Sequence, residues 1–150
     1  MPQPELYFED FTPGLRFDSL QSPTITAQEI QEFGEKYDPQ PLHLDVGAGS
    51  SSFFKGLAAS GWLTAAIVMR LRVDTIRVAG GMIGIGVDEI RWTAPVRPGD
   101  ALRTQIIVVS TRPSQKYPEF GIVKITTTAY NQRDEVVLRS TVSFLAPKKK

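Results

Sequence analysis

The sequence predicts one α+β domain in which a long antiparallel sheet wraps a single apolar helix. Three observations lead there. Residues 61–73 carry Trp62, Leu63, Ala66, Ile67, Val68, Met69 and Leu71 with almost no polar face before Arg70, so they read as a helix enclosed by other elements. After Ala79-Gly80-Gly81 the pattern becomes strand-like in four runs, about residues 82–93, 101–112, 120–131 and 136–145. The breaks between those runs are short, which favours a meander of consecutive antiparallel strands over parallel βαβ units. No repeat and no linker interrupts the 150 residues, so residues 1–150 are read as one domain with enough chain to bury a core unaided.

In chain order, Thr12-Pro13-Gly14 is a turn signal and residues 15–20 follow it as a short strand. Thr26 is a good helix N-cap, with Glu29 three residues on ahead of Ile30, Phe33 and Tyr37. That helix ends by Tyr37: Pro39 and Pro41 push Asp38 and Gln40 into extended conformations, so residues 38–43 are expected to be non-helical. Residues 46–55 are rich in Gly and Ser, with Phe53 and Phe54 as the large apolar groups. Ser60 is the expected N-cap of the apolar helix and Gly61 its first residue. In the third strand run, Ile125, Thr127 and Ala129 alternate with Thr126, Thr128 and Tyr130, a half-buried pattern rich in β-branched residues. Gly80, Gly81, Gly84 and Gly86 lack the Gly-Lys-Ser/Thr of a phosphate loop and read as bulges or close backbone approaches.

Composition narrows the chemistry. There is no cysteine and one histidine, His43, which excludes thiol nucleophiles, zinc ribbons, iron–sulfur clusters and every site that needs two imidazoles. Three of the 17 basic residues are the terminal run Lys148-Lys149-Lys150, and without them 14 basic residues face 16 acidic ones. A slightly acidic body is a poor nucleic-acid footprint, so no nucleic-acid partner is expected, and the lysine run is read as a solvated, disordered tail. The first residues carry acids where a secretory leader needs positive charge, and the longest apolar stretch stops at Arg70, so a cytoplasmic protein without a membrane partner is expected.

The sharpest local feature is Tyr37-Asp38-Pro39-Gln40-Pro41-Leu42-His43-Leu44-Asp45. Asp38 and His43 are five apart, which in a straight strand sends them to opposite faces, and they meet on one water only if the loop curves. Two prolines make a fixed curve cheap in entropy. An aspartate and an imidazole on one water form a general acid/base pair. The same spacing also fits a satisfied loop histidine beside a helix-ending Asp38. A metal held by His43 and Asp45 lacks a third ligand, and no metal site is expected.

The second feature is Ser60-Gly61-Trp62. A helix N-terminus that begins with a bare glycine offers its N–H to an oxyanion or a thioester carbonyl, though the glycine also serves close packing. Ser60 lacks the Gly-x-Ser-x-Gly elbow of a nucleophile. Phe53, Phe54 and Trp62 are read either as core or as the lining of an acyl pocket.

At residues 38–43 the sequence resembles the MaoC-like, R-specific enoyl-CoA hydratase family of hotdog-fold proteins. That family's loop Asp-x-Asn-Pro-Leu-His stands here as Asp38-Pro39-Gln40-Pro41-Leu42-His43, with Gln40 in place of Asn and Tyr37 where Gly is common. The resemblance extends to the YFEDFTPGLRF opening, the Ser60-Gly61 helix start and Pro95-Val96-Arg97-Pro98-Gly99-Asp100. It implies a hotdog homodimer, or a higher homo-oligomer, that takes an acyl-CoA thioester in fatty acid metabolism. Asp38 and His43 would hold the water that adds to C3, and the Gly61 amide would polarise the thioester carbonyl. Gln40, Ser60 and Trp62 would line the substrate, and the product would be a (3R)-3-hydroxyacyl-CoA, with no metal or redox cofactor. A hotdog acyl-CoA thioesterase is the second reading, disfavoured because residues 61–73 hold no carboxylate. A non-catalytic acyl-CoA-binding hotdog protein is the third.

Overall fold

The computed structural model describes residues 3–150. After a short 3-10 turn at Phe8–Asp10, the elements are β1 (Arg16–Asp18), α1 (Ala27–Tyr37), α2 (Pro41–Leu44), α3 (Val46–Ser50) and α4 (Gly61–Thr75). Four long strands follow: β2 (Ile83–Trp92), β3 (Arg103–Pro113), β4 (Phe120–Tyr130) and β5 (Val136–Pro147). With β1 they form one antiparallel five-stranded sheet in the order β1-β3-β4-β5-β2. With α4 laid along it, this is the hotdog arrangement.

The meander expectation holds only for β3, β4 and β5. β2 does not pair with β3, which follows it, but crosses to the far side and pairs with β5. The Pro-rich segment 93–100 is therefore a crossover and not a hairpin, and β2 becomes the sheet's edge. Its register breaks between Gly84 and Gly86 and again between Val87 and Glu89, as glycines within a strand favour.

α1 begins where the capping residues direct it: Thr26 Oγ1 accepts from Glu29 N at 3.1 Å. The expectation that residues 38–43 contain no helix is wrong. Pro41 starts the one-turn helix α2, because a proline at the first helical position loses only an N–H that has no partner there.

α4 was expected to be enclosed on all sides, and it is not. Leu63, Val68 and Leu71 pack with Leu102, Ala129, Val137 and Leu138 on the sheet side. Trp62 (60% exposed), Met69 and Val73 lie on an uncovered stripe. An apolar circumference predicts burial, but this chain supplies a cover for one side only. The extension of α4 to Thr75 also adds Asp74, whose carboxylate pairs with Arg70 at 2.9 Å on the surface. The terminal lysines carry specific bonds: Lys148 N donates to Glu119 O at 2.8 Å, and Lys149 Nζ reaches Asp10 Oδ1 at 2.9 Å. No helix among the described residues is long and apolar enough to cross a membrane.

Candidate active site

Asp38 closes α1. Its N–H donates to Gly34 O at 2.9 Å, and its backbone (φ −147°, ψ 68°) turns the chain out of the helix. The return is tight because Gly34 faces the α2 turn: a Cβ there would lie 2.9 Å from His43 O. Gln40 caps α2, and the curve through Pro39 and Pro41 brings His43 back toward Asp38. The two side chains meet, with His43 Nε2 3.3 Å from Asp38 Oδ2.

The His43 ring is buried, only 6% exposed, and its Nδ1 lies 2.6 Å from Ala58 O. A carbonyl only accepts, so Nδ1 carries the hydrogen and Nε2 of the neutral ring presents a lone pair toward Asp38. The supporting segment is itself fixed: Ala58 N donates to Leu42 O at 3.1 Å and Ala59 N to Val96 O at 2.8 Å.

Asp38 accepts from the Gln40 amide, Nε2 to Oδ1, at 2.5 Å. That bond is the main reason its carboxyl titrates below the usual 3.8; partial burial opposes it, and the Ser60 hydroxyl and the facing His43 add to the lowering. Ser60 is fully buried and serves both sides, its oxygen accepting from Trp62 N at 3.3 Å while its hydroxyl meets Asp38.

Gly61 is the first residue of α4, and among the described residues its N–H has no acceptor. The bare position also has a packing cause, since a Cβ on Gly61 would lie 2.6 Å from the Trp92 ring. Trp92 Nε1 in turn donates to Gly61 O at 2.6 Å.

Asp38, Gln40, His43, Gly61 and Trp62 line one cavity of about 650 Å³; Ser60, expected to line the substrate, is fully buried behind Asp38 and Trp62 and is not part of the lining. Phe53 and Phe54 belong to this cavity and not to the core; Phe53 is 92% exposed. Asp45 turns away and caps α3, accepting from Gly47 N at 3.0 Å, so it joins no ligand set with His43. The sequence reading missed Thr64, Trp92 and Arg97, which line the same cavity. Arg97 lies in the quoted Pro-Val-Arg-Pro-Gly-Asp turn, where its guanidinium donates to Phe54 O and holds the 53–56 loop over the site. Trp92 arrives through the β2 crossover, which no local pattern announces.

Comparison with known proteins agrees with this fold. A family model described as MaoC like domain matches residues 10–130. The chain is similar to the crystal structure of a MaoC-like dehydratase from Rhodospirillum rubrum, at 44% identity and a TM-score of 0.90, over 97% of this chain and 99% of that one. It is 30% identical to the uncharacterised protein YdeM of Bacillus subtilis, over 91% of this chain and 96% of that protein. A third relative, an (R)-specific enoyl-CoA hydratase of Rhodospirillum rubrum, is 27% identical over 94% of this chain and 92% of its own length.

Proposed function

The chain belongs to the MaoC-like domain family, and on that premise we propose that it reversibly hydrates a 2-enoyl-CoA thioester to a (3R)-3-hydroxyacyl-CoA. The observation that carries the reading is the His43 hydrogen-bond pattern: with Nδ1–H given to Ala58 O, Nε2 is left as a base 3.3 Å from a carboxylate.

In this reading a water in the cavity reaches both Nε2 and Asp38 Oδ2 from one side. The thioester carbonyl takes the Gly61 N–H at the α4 N-terminus, where the helix dipole favours the charge that gathers on that oxygen. The water oxygen bonds to C3 as the C2=C3 π bond breaks, and its proton passes to Nε2. The imidazolium so formed faces Asp38, which stays ionised because Gln40 holds its proton affinity down. The proton then goes to C2 and the ring returns to neutral. Gln40 and Ser60 keep the carboxylate aimed, and Trp62, Phe53 and Phe54 offer apolar lining to the acyl chain. The scheme uses no metal or redox cofactor, and acyl-CoA is the substrate. It is a reaction of fatty-acyl metabolism and fits a cytoplasmic enzyme.

The working unit is a homodimer. β2 is exposed along its length, with Ile83, Ile85 and Val87 open on one edge and the Met69–Val73 stripe of α4 uncovered. This ten-residue strand, apolar in its first half, offers about 34 Å of unpaired backbone, and a second copy of the same edge would satisfy it.

The test is incubation with crotonyl-CoA and longer or branched 2-enoyl-CoA thioesters. Loss of the conjugated enoyl absorbance with a 3R product supports the reading. Release of free thiol would make the protein a thioesterase, and binding without turnover would make it an acyl-CoA-binding protein.

A further inference from the structure

A polar layer cuts the core in two. On β3, Thr104 lies between Leu102 and Ile106; on β4, Thr127 lies between Ala129 and Ile125; on β5, Ser140 follows Leu138 and precedes Phe144; on α4, Arg72 lies between Val68 and Ile76. In each case the first-named apolar residue belongs to one buried cluster and the second to the other. Thr127 and Ser140 are direct partners across β4 and β5, and Thr104 is two residues along β3 from Ile106, the partner of Thr127. The four polar residues therefore lie along one seam between the two clusters, with Arg72 bonded to Thr127 at its middle.

Arg72 is 4% exposed, and Thr104, Thr127 and Ser140 are equally buried. Its Nη2 donates to Thr127 Oγ1 at 3.3 Å and its Nη1 touches Met69 Sδ at 3.7 Å. Its Nε has no acceptor among the described residues, and neither Thr104 Oγ1 nor Ser140 Oγ has a partner. No carboxylate approaches the guanidinium among the described residues. A buried guanidinium holds its charge at great cost unless an opposite charge reaches it, and Arg cannot lose its proton to escape that cost. Two hydroxyls with free hydrogens beside it are donors of the kind that completes an anion's shell.

We propose that Arg72, Thr104, Thr127 and Ser140 form a buried binding site for a small monoanionic group, a carboxylate or a halide. The group has two possible sources. It can be a free ion, or it can be a carboxylate at the far end of an acyl chain, because Thr64, Val68 and Arg72 follow one another at four-residue steps on the buried face of α4 and Thr64 lines the active-site cavity. That helical path is about 12 Å long. Only the second source rests on the acyl-thioester reading.

The experiment is thermal unfolding of the purified protein with sodium chloride or sodium formate titrated against sodium gluconate at constant ionic strength. The same melts are then run with octanedioyl-CoA and octanoyl-CoA, which are saturated and cannot be hydrated. The proposal expects one of two results in the wild type. Either chloride or formate raises the midpoint saturably, by roughly 3–6 °C at ten times the half-saturating concentration, or octanedioyl-CoA stabilises more than octanoyl-CoA. Arg72→Met, which fills the space without charge, is expected to abolish whichever effect is seen. A wild-type protein indifferent to both small anions and to the distal carboxylate overturns the proposal, whatever the stability of the variant. Equal stabilisation by the two acyl-CoAs with a free-ion effect retained assigns the site to a free ion and leaves the thioester reading standing.

Discussion

Trp92 Nε1 donates to Gly61 O at 2.6 Å, and the ring that makes this bond occupies the space a side chain on Gly61 would need. The end of the edge strand thus fixes the first turn of the long helix, and with it the direction of the Gly61 N–H.

Replacing Gly61 by Ala must displace the Trp92 indole. We expect a loss of about 1–3 kcal/mol of stability from the overpacking and a fall in kcat of roughly tenfold to a hundredfold as the amide donor moves. Urea unfolding and initial rates measure the two effects. A variant with wild-type midpoint and rate would dissociate Gly61 from both packing and catalysis.

Asp38→Asn and His43→Ala are each expected to lower kcat by at least about a hundredfold. Their stabilities should differ. Removing the imidazole strands the buried Ala58 carbonyl, at a cost of about 1–3 kcal/mol, whereas the asparagine amide still meets Gln40 and Ser60. Wild-type hydration of crotonyl- or longer enoyl-CoA by both variants rejects the site assignment.

Gln40→Leu removes the main cause of Asp38's low proton affinity, so the carboxyl should titrate at higher pH. For the wild type, a folded-state value below the unfolded 3.8 means that Asp38 adds stability above that pH, and the contribution is lost as pH falls through the folded value. In the variant that loss should begin at higher pH, which unfolding midpoints measured across the acid range read out. Superimposable profiles would show that the Gln40 bond does not tune the carboxylate.

Val87→Lys places a charge at the middle of the open β2 edge, where the side chain is 61% exposed. Light scattering at micromolar concentration should report a dimer for the wild type and a monomer for the variant. A monomeric wild type at that concentration removes the homodimer.

The sequence made much of this architecture visible, for identifiable reasons. The strand runs differ from β2–β5 by a few residues at most, because β-branched alternation and Pro/Gly breaks are local signals. α1 could be placed from Thr26 and from Pro39, and the Asp38–His43 encounter from the two prolines, although the curve that produces it is a helical turn. Strand order was not legible: pairing β2 with β5 is a long-range choice that spacing does not encode. Nor was the Ala58 carbonyl that selects the His43 tautomer, since every residue offers a carbonyl and only the fold chooses one. Trp92 entered the site by the same crossover, and the open side of α4 could not be told from a covered one by hydropathy alone.

The Thr104–Thr127–Ser140–Arg72 layer also bears on how the molecule opens. Two apolar compartments that meet across a polar seam share less cohesion than one continuous core, and the ordinary response is sub-global opening in separate cooperative units. Native-state amide exchange should therefore sort β4 and β5 lengthwise. The Ile125 and Phe144 end is expected to exchange as one group and the Ala129 and Leu138 end as another, each strand divided at the seam instead of behaving as a single element.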